Sequence, residues 1–172
     1  MVNFDQQSDV REGPVFKTRV TELLGIKHPV VCGGMTNVGR AGLAAAVSNA
    51  GGLGMITALT TGSPEKLEQE IAATRELTDK PFGINLTILP TINPIPFDEY
   101  ADVIANSGVA AVETAGRNPE QYISKFKAGG LICIHKAVSV RHSLTAQKIG
   151  VDIVSIDGYE CAGHPGEDDV SN

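Results

Sequence analysis

Tryptophan is absent from this chain of 172 residues, and aromatic residues make up only 5% of it. With nineteen glycines and only five Phe, the composition leans toward a β/α protein with many tight loops, although composition alone decides little. A basic surplus is also missing. Fourteen Lys and Arg stand against twenty Asp and Glu, for a net charge of -6 and a pI near 5.1, so nucleic-acid binding is not expected. Cysteine is scarce. Cys32, Cys133 and Cys161 are far apart and odd in number, with no CxxC or zinc spacing, so no metal site is expected. Cys32 and Cys133 lie in apolar strand patterns and are expected to be core thiols; Cys161 sits in a loop discussed below. No apolar run approaches the roughly 18 residues that a membrane span requires. Residues 1–13 have neither an apolar signal-peptide core nor an Arg-rich amphipathic pattern, and the expected location is cytoplasmic. What remains is 42% hydrophobic sequence, enough for one domain with its own core.

After a polar tail over 1–15, apolar runs alternate with helix-forming segments through 16–172. Strands are expected over 29–33, 53–59, 82–89, 109–114, 131–137 and 151–156. Helices are expected over 40–49, from Ser63-Pro64-Glu65 to Thr78, over 97–106, from Asn118-Pro119-Glu120 to Gly129-Gly130, and over 140–149. Pro64 occupies a favoured first helical position, and Leu67, Ile71, Thr74 and Leu77 form a 3.6-residue face. The strands are near-continuous apolar runs, which implies burial on both faces in a parallel sheet covered by helices. Such a unit fits a doubly wound sheet or an incomplete (β/α)8 barrel. Polar or glycine residues at nearly every strand end favour the barrel: Gly33-Gly34-Met35, Thr57, Asn85, Glu113-Thr114, Lys136 and Asp157. A barrel brings all these ends to one axis, whereas an open sheet concentrates them at one switch point. No GxGxxG dinucleotide fingerprint follows the first strand.

The segment Ile153 to Gly166 carries the strongest chemical signal. An apolar strand ends in Asp157, and a glycine-punctuated loop then presents His164 between Gly163 and Gly166. An imidazole with an unperturbed pKa near 6.5, on a loop at a barrel mouth, suits proton transfer; it fits an ordinary loop histidine as well. Asn85, Lys136 and Asp157 each stand where a strand gives way to polarity, positioned either to bind a ligand or to solvate the rim. Gly33-Gly34 leaves a flat ring free to lie against the backbone, and equally forms a tight βα turn. His28, at a strand entrance, reads as structural. His135 is expected to point away from its neighbour Lys136, and His142 to lie on a helix surface.

Several segments, in order and spacing, resemble the nitronate monooxygenase family, formerly called 2-nitropropane dioxygenases, and especially its NADH:quinone reductase members. They are Phe16-Lys17-Thr18-Arg19, His28-Pro29-Val30-Val31-Cys32-Gly33-Gly34-Met35, the AAAVSNAGGLG element within 43–54, Thr78 to Leu86 with its PFG-x-N element, and the ECAGHPGEDD loop. The resemblance implies a TIM barrel holding FMN non-covalently. Gly33, Gly34 and Met35 would contact the flavin, Asn85, Lys136 and Asp157 would reach its ring or ribityl chain, and His164 would be the active-site histidine. It implies oxidation of alkyl nitronates with O2, or alternatively NAD(P)H:quinone reduction. A positive Lys136 near the ring would stabilise the anionic reduced flavin. Family members are about twice this length, so the barrel is expected to be truncated after about six β/α units. The phosphate-binding loops after strands seven and eight would then be missing. Open edges on the first and sixth strands would favour self-association, and a catalytically silent fragment is the third reading.

Overall fold

A strand inside a parallel sheet has both faces to bury, and the strands here divide their side chains between two apolar clusters. The computed structural model describes residues 16–161. In chain order the elements are α1 (Arg19–Leu24), α2 (Ala41–Asn49), β1 (Gly54–Thr57), α3 (Pro64–Leu77), β2 (Phe82–Ile88), α4 (Phe97–Asn106), β3 (Ala111–Gly116), α5 (Glu120–Ala128), β4 (Ile132–Ala137), α6 (Val140–Lys148) and β5 (Ile153–Ile156). The five strands form one sheet in the order β1-β2-β3-β4-β5, every pair parallel. A helix connects each strand to the next, and the order never reverses. The sheet therefore has no switch point of the doubly wound kind, and its architecture is that of a partial (β/α)8 barrel.

Phe82, Ile84, Leu86 and Ile88 of β2, with Val112 and Cys133, pack toward Ile71, Tyr100, Ile104, Tyr122 and Phe126 of the surrounding helices. On the opposite, interior face, Leu53, Met55, Ala111 and Ile134 meet Leu24 and Ile26. Thus α1 and the residues just after it plug the barrel's interior at the end where the strands begin. Interior positions nearer the strands' C-terminal ends are polar: Thr57, Asn85 and Glu113 are all buried.

The expected strand over 29–33 is not a full strand. It contributes a single parallel bridge, Val31 to Leu53. Leu53 N–H donates to the Val30 carbonyl and Cys32 N–H to the Leu53 carbonyl, each at 2.9 Å. Pro29 has no N–H to extend the ladder at one end, and Gly33-Gly34 turns away at the other. The expected strand over 53–59 likewise stops at Thr57, because Ala58–Thr61 form a 3-10 turn. The helix α1 was not expected. Its signals are a Thr18–Thr21 capping box and Gly25 in a left-handed conformation, φ 66°. Other helix starts follow the sequence closely: the hydroxyl of Ser63 accepts from Lys66 N–H and that of Ser139 from His142 N–H.

The AAAVSNAGGLG element has a structural explanation. A Cβ on Gly54 would stand 2.0 Å from the Ala44 carbonyl oxygen, so α2 lies directly on β1. Ser48, itself buried, accepts from Gly54 N–H at 3.2 Å. Asn49 donates to the Leu77 carbonyl and accepts from the Thr78 hydroxyl, joining the ends of α2 and α3. These contacts lie at the strand-entry side of the barrel, where shared residues serve stability. Among the described residues, no helix is long and apolar enough to cross a membrane.

Candidate functional site

Thr57, Asn85 and Glu113 stand on three adjacent strands at one level, since β1 and β2 register Thr57 against Asn85 and β2 and β3 register Asn85 against Glu113. Strand side chains alternate between faces, and the plug residues Met55 and Ala111 stand two positions before Thr57 and Glu113, so this polar row points into the barrel above the plug. The loop over 33–39 crosses the row and is held by it. Met35 N–H donates to Thr57 Oγ1 at 2.9 Å, and the Thr57 hydroxyl donates back to the Met35 carbonyl at 3.1 Å. Gly34 N–H donates to Glu113 Oε2 at 3.0 Å, and Asn85 Nδ2 donates to the same oxygen at 2.6 Å. Asn85 Oδ1 accepts from the Thr87 hydroxyl at 3.1 Å.

Gly34 is required by this arrangement. A Cβ there would fall 2.2 Å from Asn85 Cγ, well inside contact distance. At Gly33, a Cβ would meet Glu113 Oε1 at 3.1 Å and Lys136 Nζ at 3.4 Å. Lys136 therefore reaches over the loop backbone from β4. Glu113 registers with Ile134, which puts Lys136 two residues further toward the mouth. Its Nζ lies 3.8 Å from Asp157 Oδ2, and the two side chains are 22% and 19% exposed. At that distance the pair is electrostatic, and among the described residues it leaves the ammonium's hydrogen-bond donors unengaged. Met35, 40% exposed, adds an apolar side chain at the mouth.

Six of the candidates from sequence, Gly33, Gly34, Met35, Asn85, Lys136 and Asp157, thus belong to strand ends and loops on one side of the sheet. His164 lies outside the described residues, as do the ECAGHPGEDD loop beyond Cys161 and the tail over 1–15. Glu113 and Thr57 were visible in the sequence only as polar strand ends, yet they fasten the loop. The available signal was a carboxylate within an apolar strand on the same parity as the interior residue Ala111.

The other polar groups fall elsewhere. His135 is buried on the helix-facing side, with its Nδ1 2.9 Å from Thr114 Oγ1. Burial holds its pKa below the ordinary histidine value. His28 packs beside Gly51 at the strand-entry end, and His142 is exposed on α6. Cys133 is a core thiol, as expected. Cys32 departs from the expectation: it is only half-buried, and burial, with the nearby Glu113 charge, raises its pKa. Around Cys32 the chain pairs with β1 through a single bridge, Val31 to Leu53, rather than as a covered strand.

Relatives of known name share this chain's sequence and fold. It is 34% identical over 181 residues to a protein of Staphylococcus saprophyticus named probable nitronate monooxygenase, covering 87% of this chain and 51% of that one. It is 35% identical over 150 residues to the (3aS,4S,5R,7aS)-5-hydroxy-7a-methyl-1-oxo-octahydro-1H-indene-4-carboxyl-CoA dehydrogenase of Rhodococcus jostii, covering 87% of this chain and 41% of the relative. FabK from Thermotoga maritima superposes with a TM-score of 0.81 at 38% identity, over 90% of this chain and 48% of FabK. Nitroalkane oxidase from Streptomyces ansochromogenes, at 23% identity and a TM-score of 0.73, shares the fold. The chain spans about half the length of these relatives or less. The family profile of nitronate monooxygenase matches residues 17–113, a stretch running from the capping box of α1 to Glu113, and by that match the chain belongs to the nitronate monooxygenase family.

Proposed function

We propose that this chain forms the flavin-facing part of an FMN-dependent oxidoreductase, a nitronate monooxygenase that oxidises alkyl nitronates with O2. The supporting observation is the convergence of the Gly33-Gly34-Met35 backbone, Asn85, Lys136 and Asp157 at one barrel mouth, in a member of this family. The names of two relatives, a monooxygenase and a dehydrogenase, support the oxidoreductase class.

The residues present fit the ring part of FMN. Gly33 and Gly34 offer backbone without side chains, Met35 adds apolar cover, and Lys136 brings a cation. Asn85 has given one amide proton to Glu113 and retains the other. FMN, when bound, supplies the capacity to accept electrons and pass them to oxygen. Lys136 would hold positive charge where negative charge builds up on reduction, and Asp157 would orient that ammonium. His164 is assigned the role of base or anion partner for the nitro compound or nitronate.

The test is to add FMN to the purified 172-residue protein, desalt it, and record the visible spectrum. Retained flavin bands that bleach anaerobically on adding a nitronate support the reading, and Lys136→Met should then weaken retention. A colourless protein overturns it for this chain alone and favours the silent-fragment reading. A second reading is NAD(P)H:quinone reduction. The dehydrogenase name of one relative favours it. Bleaching by NADH but not by a nitronate selects it.

A further inference from the structure

We propose that Glu113 is the positioning residue of this site: it sets the height of the Gly33-Gly34-Met35 backbone and the orientation of the Asn85 amide beneath the cofactor. The assignment rests on the flavin reading above for the identity of that cofactor. Glu113 is 2% exposed, on the inward face of β3. A buried carboxylate persists only when its charge is met by donors. Here one oxygen, Oε2, receives both Gly34 N–H and Asn85 Nδ2. These are charge-assisted bonds, stronger than their neutral equivalents. They also fix a choice that Asn85 cannot make by shape. An ionised carboxylate only accepts, so Asn85 must turn its NH2 to Glu113 and its carbonyl to the Thr87 hydroxyl.

The second oxygen faces the same side of Gly33 as the cation, without pairing with it. Glu113 Oε1 and Lys136 Nζ both lie close to one point over Gly33, 3.1 and 3.4 Å from where a Cβ would stand. The carboxylate, the loop backbone and the ammonium therefore meet around a glycine that leaves no side chain between them. Thr57 holds the next residue, Met35, through both its N–H and its carbonyl. Among the described residues, Glu113 bonds both the loop and Asn85 and lies near Lys136.

The experiment compares wild type, Glu113→Gln and Glu113→Ala by amide hydrogen exchange without cofactor, and by FMN affinity from quenching of flavin fluorescence. In Glu113→Ala, exchange over 33–37 should rise about tenfold or more, the loss expected for one hydrogen bond to a charged group. Exchange over 64–77, in α3, should stay as in wild type. FMN affinity should fall by about the same factor. Glu113→Gln keeps one accepting oxygen and should fall between the two; it carries the test if the alanine variant does not fold. Unchanged exchange over 33–37 overturns the proposal, and so does a uniform rise in both segments, which marks a general core role. Loosening over 33–37 with unaltered FMN affinity breaks the link to the cofactor. If wild type binds no FMN, the flavin reading fails, while the exchange result still decides whether Glu113 positions the loop.

Discussion

Substituting Gly34 with alanine adds one methyl group at the point where the loop touches the polar row. That methyl would lie 2.2 Å from Asn85 Cγ and 2.5 Å from both Asn85 Cβ and Oδ1. Asn85 has little room to yield. It is 3% exposed, bonded to Glu113 at 2.6 Å and to Thr87 at 3.1 Å. Either Asn85 rotates and loses its bond to the carboxylate, or the loop lifts and Gly34 N–H loses the same acceptor. Each route sacrifices one hydrogen bond to a charged group, about 1.5–3 kcal/mol. At about 2–4 °C per kcal/mol for a domain of this size, Tm should fall by about 3–12 °C. Thermal unfolding followed by circular dichroism measures this. Gly42→Ala is the matched control: nothing lies within 4 Å of its added Cβ, and it sits in α2. There alanine should be neutral or stabilising by up to about 1 kcal/mol, because glycine is the poorer helix former. If Gly34→Ala melts with wild type while Gly42→Ala behaves as stated, the loop does not rest on Asn85 as described, and the reasoning is refuted.

Gly54→Ala should be at least as damaging, since its methyl would meet the Ala44 backbone rather than a side chain; overpacking of about 1–3 kcal/mol or more should show as a lower urea midpoint with an unchanged m-value. The buried His135 predicts acid sensitivity. Its folded-state pKa lies below the ordinary 6.5, so the unfolded chain takes up the proton first as pH falls. Its contribution is complete above about pH 6.5, is lost as pH drops through the folded-state value, and is then constant. Urea midpoints across pH 5–8 should show the decline, and His135→Gln should flatten it. Among the described residues β5 pairs only with β4, Ile156 is 46% exposed on it, and Val140 and Leu144 are 61% and 60% exposed on α6. On the opposite side Val30 is 58% exposed. Light scattering should therefore show association that grows with concentration and that Ile156→Lys diminishes; a monomer at every concentration contradicts it.

Local physics made most of the fold legible in the sequence. Ser63-Pro64 announced a helix start because capping is a local hydrogen-bond problem. The apolar runs announced buried parallel strands, and the polar residues at their ends placed Asn85, Lys136 and Asp157 on one side of the sheet. The run over 29–33 misled, because strand composition does not reveal whether a neighbour pairs for one residue or five. Tertiary structure alone decided the partners. That Gly34 lies on Asn85, that one oxygen of Glu113 serves two donors, and that Lys136 reaches over Gly33 depend on register across four strands. Residues 34 and 113 are brought within a hydrogen bond by the pairing and curvature of the sheet, and no window of sequence contains both. Sequence by itself determined which residues are chemically able to act, through their type and their position at strand ends. The pairing of the strands into one sheet determined which of them touch, because tertiary structure sets distances between segments far apart in the chain.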